Sequence, residues 1–212
     1  MPKLKKPHVV EPVAPELARP DWFVVGLALV GLAVSGYLSA LKLGGNQAFL
    51  CRDGSGCDIV QASRYALLAG VPTAMWGAGV YLAIAVLAAI PRTTRRWQAA
   101  FMLASGAVAF SLYLTYTSVF VIGATCPYCL ASGAVAVALL VVMLWRRPVV
   151  QGRHAAAYKP RRLAGIGITA GAFTVLIGAF IFAADFSVPA SYQVGLARHL
   201  AKSESIFYGA FW

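Results

Sequence analysis

The sequence predicts an all-α integral membrane protein, and three observations carry that prediction. Of 212 residues, 60% are apolar and only 12% are charged, whereas a soluble domain carries about a quarter charged residues. Charge-free stretches recur that are long enough to cross a hydrocarbon core, which takes about 20 residues as a helix. The Lys and Arg residues gather on one side of those stretches, as the positive-inside rule requires.

Taken in order, residues 1–20 form a polar N-terminal segment, and Trp22 to Leu41 is the first span. Its polar leader and its apolar core are both too long for a cleaved signal peptide, so it is read as a retained helix. An outer loop with Cys51 and Cys57 follows, then a second span from Tyr65 to Pro91. The 49 residues from Trp97 to Trp145 contain no Asp, Glu, Lys or Arg. A run of that length must fold back once. Its break is Gly123-Ala-Thr-Cys-Pro127, because Gly and Pro punctuate helices and Pro suits the first turn of a new one. The third span therefore ends near Ile122, the fourth begins at the Cys-Pro-Tyr-Cys, and Leu163 to Ala184 is the fifth.

Orientation follows from the cations. Lys3, Lys5, Lys6 and Arg19, then Arg92, Arg95 and Arg96, then Arg146, Arg147, Arg153, Lys159, Arg161 and Arg162 place 13 of the 18 on one side. Lys42, Arg52, Arg64, Arg198 and Lys202 lie on the other, offset by Asp53, Asp58, Asp185 and Glu204. The N-terminus is thus expected inside and the C-terminus outside, with the basic loops serving topology and the membrane surface rather than nucleic acid.

This topology puts all four cysteines on the outer, oxidising face, where disulfides persist. In Cys126-Pro-Tyr-Cys129, the spacing brings two sulfurs within reach over one turn, and the helix N-terminus favours a thiolate at the first. Read alone, these are a redox pair or two small residues of an apolar helix. In Cys51-Arg-Asp-Gly-Ser-Gly-Cys57, five intervening residues make either a static loop staple or a mobile pair. Two pairs on one face suggest a relay, since exchange needs a mobile thiolate beside a disulfide. Zinc is the rival for four cysteines, but structural zinc uses two tight knuckles or adds histidines. Here there is one knuckle, and His8, His154 and His199 lie elsewhere in the chain.

The spans hold no Asp, Glu, Lys, Arg or His, which argues against an ion or proton pathway. They do hold aromatic residues: Phe110, Tyr113, Tyr116 and Phe120 on the third, and Trp76 and Tyr81 on the second. Spacings of three and four mark one helix face. Such a face packs against another helix, or, beside a redox pair, walls a pocket for a flat, lipid-soluble electron acceptor.

The order Cys51-x5-Cys57-Asp-Ile-Val-Gln-Ala-Ser63-Arg64-Tyr65, then Gly70-Val-Pro72, then Cys126-Pro-Tyr-Cys129 opening a helix closely resembles bacterial homologues of vitamin K epoxide reductase, over about residues 20 to 185. The resemblance implies a four-helix transmembrane bundle around a quinone, a fifth peripheral transmembrane helix, and a short outer-face half-helix from Cys57 to about Leu68. It implies a thiol oxidoreductase of the bacterial inner membrane that needs no metal. Cys126 and Cys129 are then the active-site pair, with Cys129 next to the quinone, and Cys51 and Cys57 the relay. Ser63 would be a polar contact at the pocket lid, and Phe110, Tyr113 and Tyr116 would wall the quinone site. The acceptor would be ubiquinone or menaquinone, and the donor a thioredoxin-like or DsbA-like partner, fused or separate. Vertebrate members carry a Tyr four residues after the second active-site cysteine, where Gly133 stands here, which favours plain quinone reduction over epoxide reduction.

Residues 21–185 are thus expected to form the membrane domain and 186–212 an extracytoplasmic linker and strand. Ser205-Ile-Phe-Tyr-Gly-Ala-Phe-Trp212 resembles the first strand of a thioredoxin-like domain, which implies a chain cut short before that domain. The alternative reading of the whole is a non-enzymatic membrane scaffold with structural disulfides or zinc.

Overall fold

A computed structural model describes residues 20–44, 55–91, 93–147 and 159–184. Cys51, the N-terminal segment and the C-terminal linker and strand lie outside the described residues.

Six α-helices follow one another: α1 (Trp22–Gly44), α2 (Gly56–Ala62), α3 (Thr73–Ala89), α4 (Thr94–Tyr116), α5 (Pro127–Trp145) and α6 (Pro160–Ala184). Among them α1, α4 with its continuation to Ile122, α5 and α6 are long and apolar enough to cross a membrane. The chain is an all-α, multi-pass membrane protein. Helices α1, α3, α4 and α5 pack in a closed ring, each against the next, and α6 lies outside it along α4.

The second span differs from its expectation. The charge-free stretch begins at Tyr65, but the helix begins only at Thr73 and has 17 residues, about 25 Å at 1.5 Å per residue. Before it, Arg64–Ala66 forms a 3-10 turn, and Leu67–Leu68 pairs antiparallel with Val71–Pro72. Ala69 and Gly70, both at positive φ, make the tight hairpin turn that this conformation suits. The expected half-helix from Cys57 to Leu68 is therefore only α2 plus a 3-10 turn and a strand. The chain leaves the helix at Ser63, whose backbone is extended and whose hydroxyl donates to the Val60 carbonyl at 2.7 Å.

Lipid offers little hydrophobic drive for helix association, so close packing through small residues takes its place. Gly31 of α1 lies under the Tyr81 ring of α3, where a Cβ would come within 2.6 Å of ring carbons, and Gly178 of α6 lies equally tightly under Phe110 of α4. The half of the ring away from the cysteines is solid: Ala28, Ile84, Ala104 and Leu139 are fully buried within one cluster with Trp97, Phe101 and Met143. A clasp closes that end. The Asp21 backbone N–H donates to the Ala88 carbonyl at 3.0 Å, and Arg146 donates to the Asp21 carboxylate at 2.9 Å, joining the adjacent ends of α1, α3 and α5.

Asp21 is buried while Arg146 is about half exposed, so the pair is worth more than a surface bridge and less than a fully buried one. Arg146→Ala is expected to cost about 1–3 kcal/mol by removing a charged hydrogen-bond partner from a buried carboxylate, read as a lower unfolding midpoint in detergent. Arg146→Met in an Asp21→Asn background should lose much less than Arg146→Ala alone.

Candidate functional site

The cysteine-bearing half of the ring is built differently from the other half. At the end of α4 the helix widens into a π turn, Thr117–Ile122, and stops at Gly123, whose φ of 74° is left-handed. Glycine adopts that conformation without steric cost. Ser118 then pins the turn from both sides: its carbonyl accepts from the Ala124 N–H at 3.1 Å, and its hydroxyl donates to the Ala124 carbonyl. Cys126 follows with extended backbone as the N-cap of α5, with Pro127 in the first turn.

From the opposite side α2 lies against this turn. A Cβ on Gly56 would meet the Thr125 carbonyl oxygen at 2.6 Å, so only glycine allows the backbones to come this close. The consequence is the position of the next residue. Cys57 Sγ lies 3.7 Å from Cys126 Sγ, and both residues are buried, at 2% and 1% exposure. Leu41, Val60 and Tyr128 pack around the sulfurs and keep water from them. Lys42 of α1 donates to the Gln61 carbonyl at 2.6 Å, which ties α2 down over the ring.

Cys57 is disulfide-bonded, while Cys126 and Cys129 are free thiols. The Cys129 backbone N–H donates to Cys126 Sγ at 3.4 Å. A hydrogen bond from the Cys129 side chain is the largest influence on Cys126 and lowers its pKa. Burial opposes it, the N–H groups of Cys129 and Tyr128 assist it, and the net result is a thiol brought down to about 7. Cys126 is thus the more readily ionised sulfur and the better leaving group in disulfide exchange.

Cys126 and Cys129 both line a cavity of about 510 Å³ in the cysteine-bearing half of the ring. Leu38, Trp76, Val80, Phe110, Leu114 and Leu130 give it largely apolar walls, and Val60, Gln61, Tyr65 and Ala66 roof it. Phe182 of α6 stacks on Phe110 and meets Tyr65 edge-on, so the peripheral helix braces both wall and roof. Deep in the cavity, Tyr81 donates to the Ser132 carbonyl at 2.6 Å, with the Ser132 hydroxyl 3.1 Å away and Ser35 3.4 Å from Ser132.

Of the residues singled out from sequence, Cys57, Cys126 and Cys129 come together here, and Phe110 lines the cavity. Ser63, Tyr113 and Tyr116 are not among the lining residues. The Ser63 hydroxyl is spent on Val60, Tyr113 joins the Phe110 and Phe182 cluster, and Tyr116 is exposed against Phe120. The residues of α4 and its π turn that do line it include Leu103, Ala107, Phe110, Ser111, Leu114, Thr115, Ser118 and Ile122, at spacings of three and four on a face rotated away from most of the aromatic residues. Sequence reasoning missed Ser35 and Ser132 altogether; hydroxyls at matching depth on charge-free spans are the only trace they leave in the sequence. Among the described residues, no three His, Cys, Asp or Glu side chains converge.

Residues 22–144, from the start of α1 almost to the end of α5, match the family model described as the Vitamin K epoxide reductase family.

The Cys126 thiol generates a prediction with a definite sign. It is protonated below about pH 7, so its alkylation by iodoacetamide, followed by mass spectrometry, should slow as pH falls through 7. Replacing Cys129 by Ala should move the inflection up toward the ordinary thiol value of about 8.5; an inflection that stays near 7 would mean that another group stabilises the thiolate.

Proposed function

The chain belongs to the vitamin K epoxide reductase family, and from that premise we propose that this membrane oxidoreductase passes electrons from a thioredoxin-like partner to a membrane quinone. The observation that carries the reading is the 3.7 Å approach of Cys57 Sγ to Cys126 Sγ, next to an apolar cavity that Cys129 also lines. The partner dithiol reduces the Cys51–Cys57 disulfide and is itself oxidised to a disulfide. The Cys57 thiolate then attacks Cys126 of the oxidised Cys126–Cys129 pair, forming a Cys57–Cys126 bond and releasing Cys129. Cys51 next attacks Cys57, which restores the loop disulfide and releases Cys126. Finally the Cys126/Cys129 dithiol gives two electrons and two protons to the quinone, and its own disulfide re-forms.

The Cys57–Cys126 exchange and the cavity beside Cys129 are what support this order. A low thiol pKa at Cys126 favours its departure when Cys51 attacks the mixed disulfide. A disulfide-bonded Cys57 beside free Cys126 and Cys129 corresponds to the state in which the electrons have reached the pair beside the cavity. The walls suit a flat, lipid-soluble acceptor, and the outer, disulfide-permissive face suits oxidation of exported proteins in a bacterial inner membrane. The quinone is ubiquinone or menaquinone, and the thioredoxin-like or DsbA-like partner is fused or separate.

The direct test is turnover: purified protein with a reduced thioredoxin-like domain and a short-chain quinone should form hydroquinone, read by ultraviolet absorbance. No turnover with donor and quinone both in excess would end the reading and leave a disulfide-stapled scaffold.

The relay order has its own signature. In Cys51→Ala, Cys57 lacks its resolving partner, so a Cys57–Cys126 cross-link should accumulate, visible by non-reducing mass spectrometry. An active Cys57→Ala variant with Cys51–Cys126 as its main cross-link would reverse the assignment.

A further inference from the structure

The cavity contains hydroxyl groups of two kinds. Most are already committed within the protein: Tyr81 donates to the Ser132 carbonyl, Ser118 to Ala124, Thr73 to Tyr65 and Thr174 to Ala170. Ser111 and Thr115 of α4 line the same cavity, yet among the described residues neither has a hydrogen-bond partner. That is unusual for a helix in lipid, where Ser and Thr hydroxyls ordinarily donate to the carbonyl one turn back. Thr117 on the same helix does so, to Tyr113 at 2.9 Å.

Their depth is fixed by packing. Ser111 faces Gly133 of α5, with its Cβ 3.5 Å from where a glycine Cβ would stand. Since α4 and α5 run antiparallel, one turn toward the cysteine-bearing end on each brings Thr115 level with Cys129. On the α4 wall Thr115 therefore lies at the depth of Cys129 and Ser111 one turn deeper.

We propose that Ser111 and Thr115 bind the quinone headgroup, donating hydrogen bonds to the carbonyl oxygen of the ring held beside Cys129. This rests on the quinone reading above and adds the residues that recognise the acceptor. In the reaction, the Cys126 and Cys129 thiols lose two electrons and two protons and form one S–S bond, while the quinone gains both and becomes the hydroquinone. The two hydroxyls supply no net proton. They stabilise the negative charge that grows on the ring oxygen as electrons arrive, an effect that strengthens along the reaction and in a site without water. Elsewhere the walls are largely apolar, so these donors would also orient the ring.

The test compares wild type, Ser111→Ala, Thr115→Val and Thr115→Ser, with a short-chain benzoquinone as acceptor and a reduced thioredoxin-like domain as donor. Each loss of a hydroxyl should lower kcat/KM for the quinone about tenfold, Thr115→Ser should retain most of it, and KM for the donor should not change. The infrared carbonyl stretch of bound quinone should move toward its free value in Thr115→Val and back in Thr115→Ser. Thr115→Val with wild-type kcat/KM and an unshifted carbonyl band would overturn the assignment, as would equal losses in Thr115→Val and Thr115→Ser. A wild-type protein that forms no hydroquinone would instead overturn the quinone reading itself.

Discussion

The contact between Gly56 and the Thr125 backbone is the constraint on which the rest of the site depends. With any side chain at Gly56, α2 would be held away from the turn before α5, and Cys57 would move away from Cys126. The 3.7 Å between the two sulfurs is therefore set by backbone approach rather than by the cysteines. Two further devices hold that approach from either side. Ser118 closes the turn that delivers Cys126, and Lys42 fastens α2 to the end of α1.

The ring of helices is divided along its axis, and the division follows from residue size. At the end away from the cysteines Ile84, Phe101, Leu139 and Met143 meet with small residues between them and fill the space. At the cysteine-bearing end the helix walls diverge around a cavity, roofed by the short elements between Gly56 and Pro72. A solid half with the Asp21–Arg146 clasp lets the other half stay hollow without collapse. Helix α6 adds rigidity where the hollow begins, through Phe182 against Phe110 and Tyr65.

The chemistry reflects the same division. Thiol exchange requires a thiolate, which burial alone would disfavour, and Cys126 keeps its low pKa because Cys129 and two backbone N–H groups hydrogen-bond to it. A thiol pair in the middle of a long apolar run is then understandable. Cys126 meets disulfide-bonded Cys57 under α2, and Cys129 opens onto the apolar cavity.

The sequence by itself determined the membrane class, the fold-back of the long apolar run at Gly123, and the start of α5 at the Cys-Pro-Tyr-Cys, because charge-free length, Gly and Pro act locally and need no knowledge of neighbours. The same local signals, Ala69-Gly70 and Pro72, lay inside the second charge-free stretch, and hydropathy concealed them: apolar residues in a hairpin score like apolar residues in a helix. The aromatic spacing on α4 identified a face but not what that face meets. Of that stripe's predicted quinone contacts only Phe110 lines the cavity, while the cavity-facing positions include Ser111 and Thr115, whose unspent hydroxyls no periodicity reveals. Only tertiary structure decided which sulfur faces which, and the reason is geometric: residues 57 and 126 meet through a glycine on one segment and a left-handed turn on another, a juxtaposition that no property of either segment alone contains.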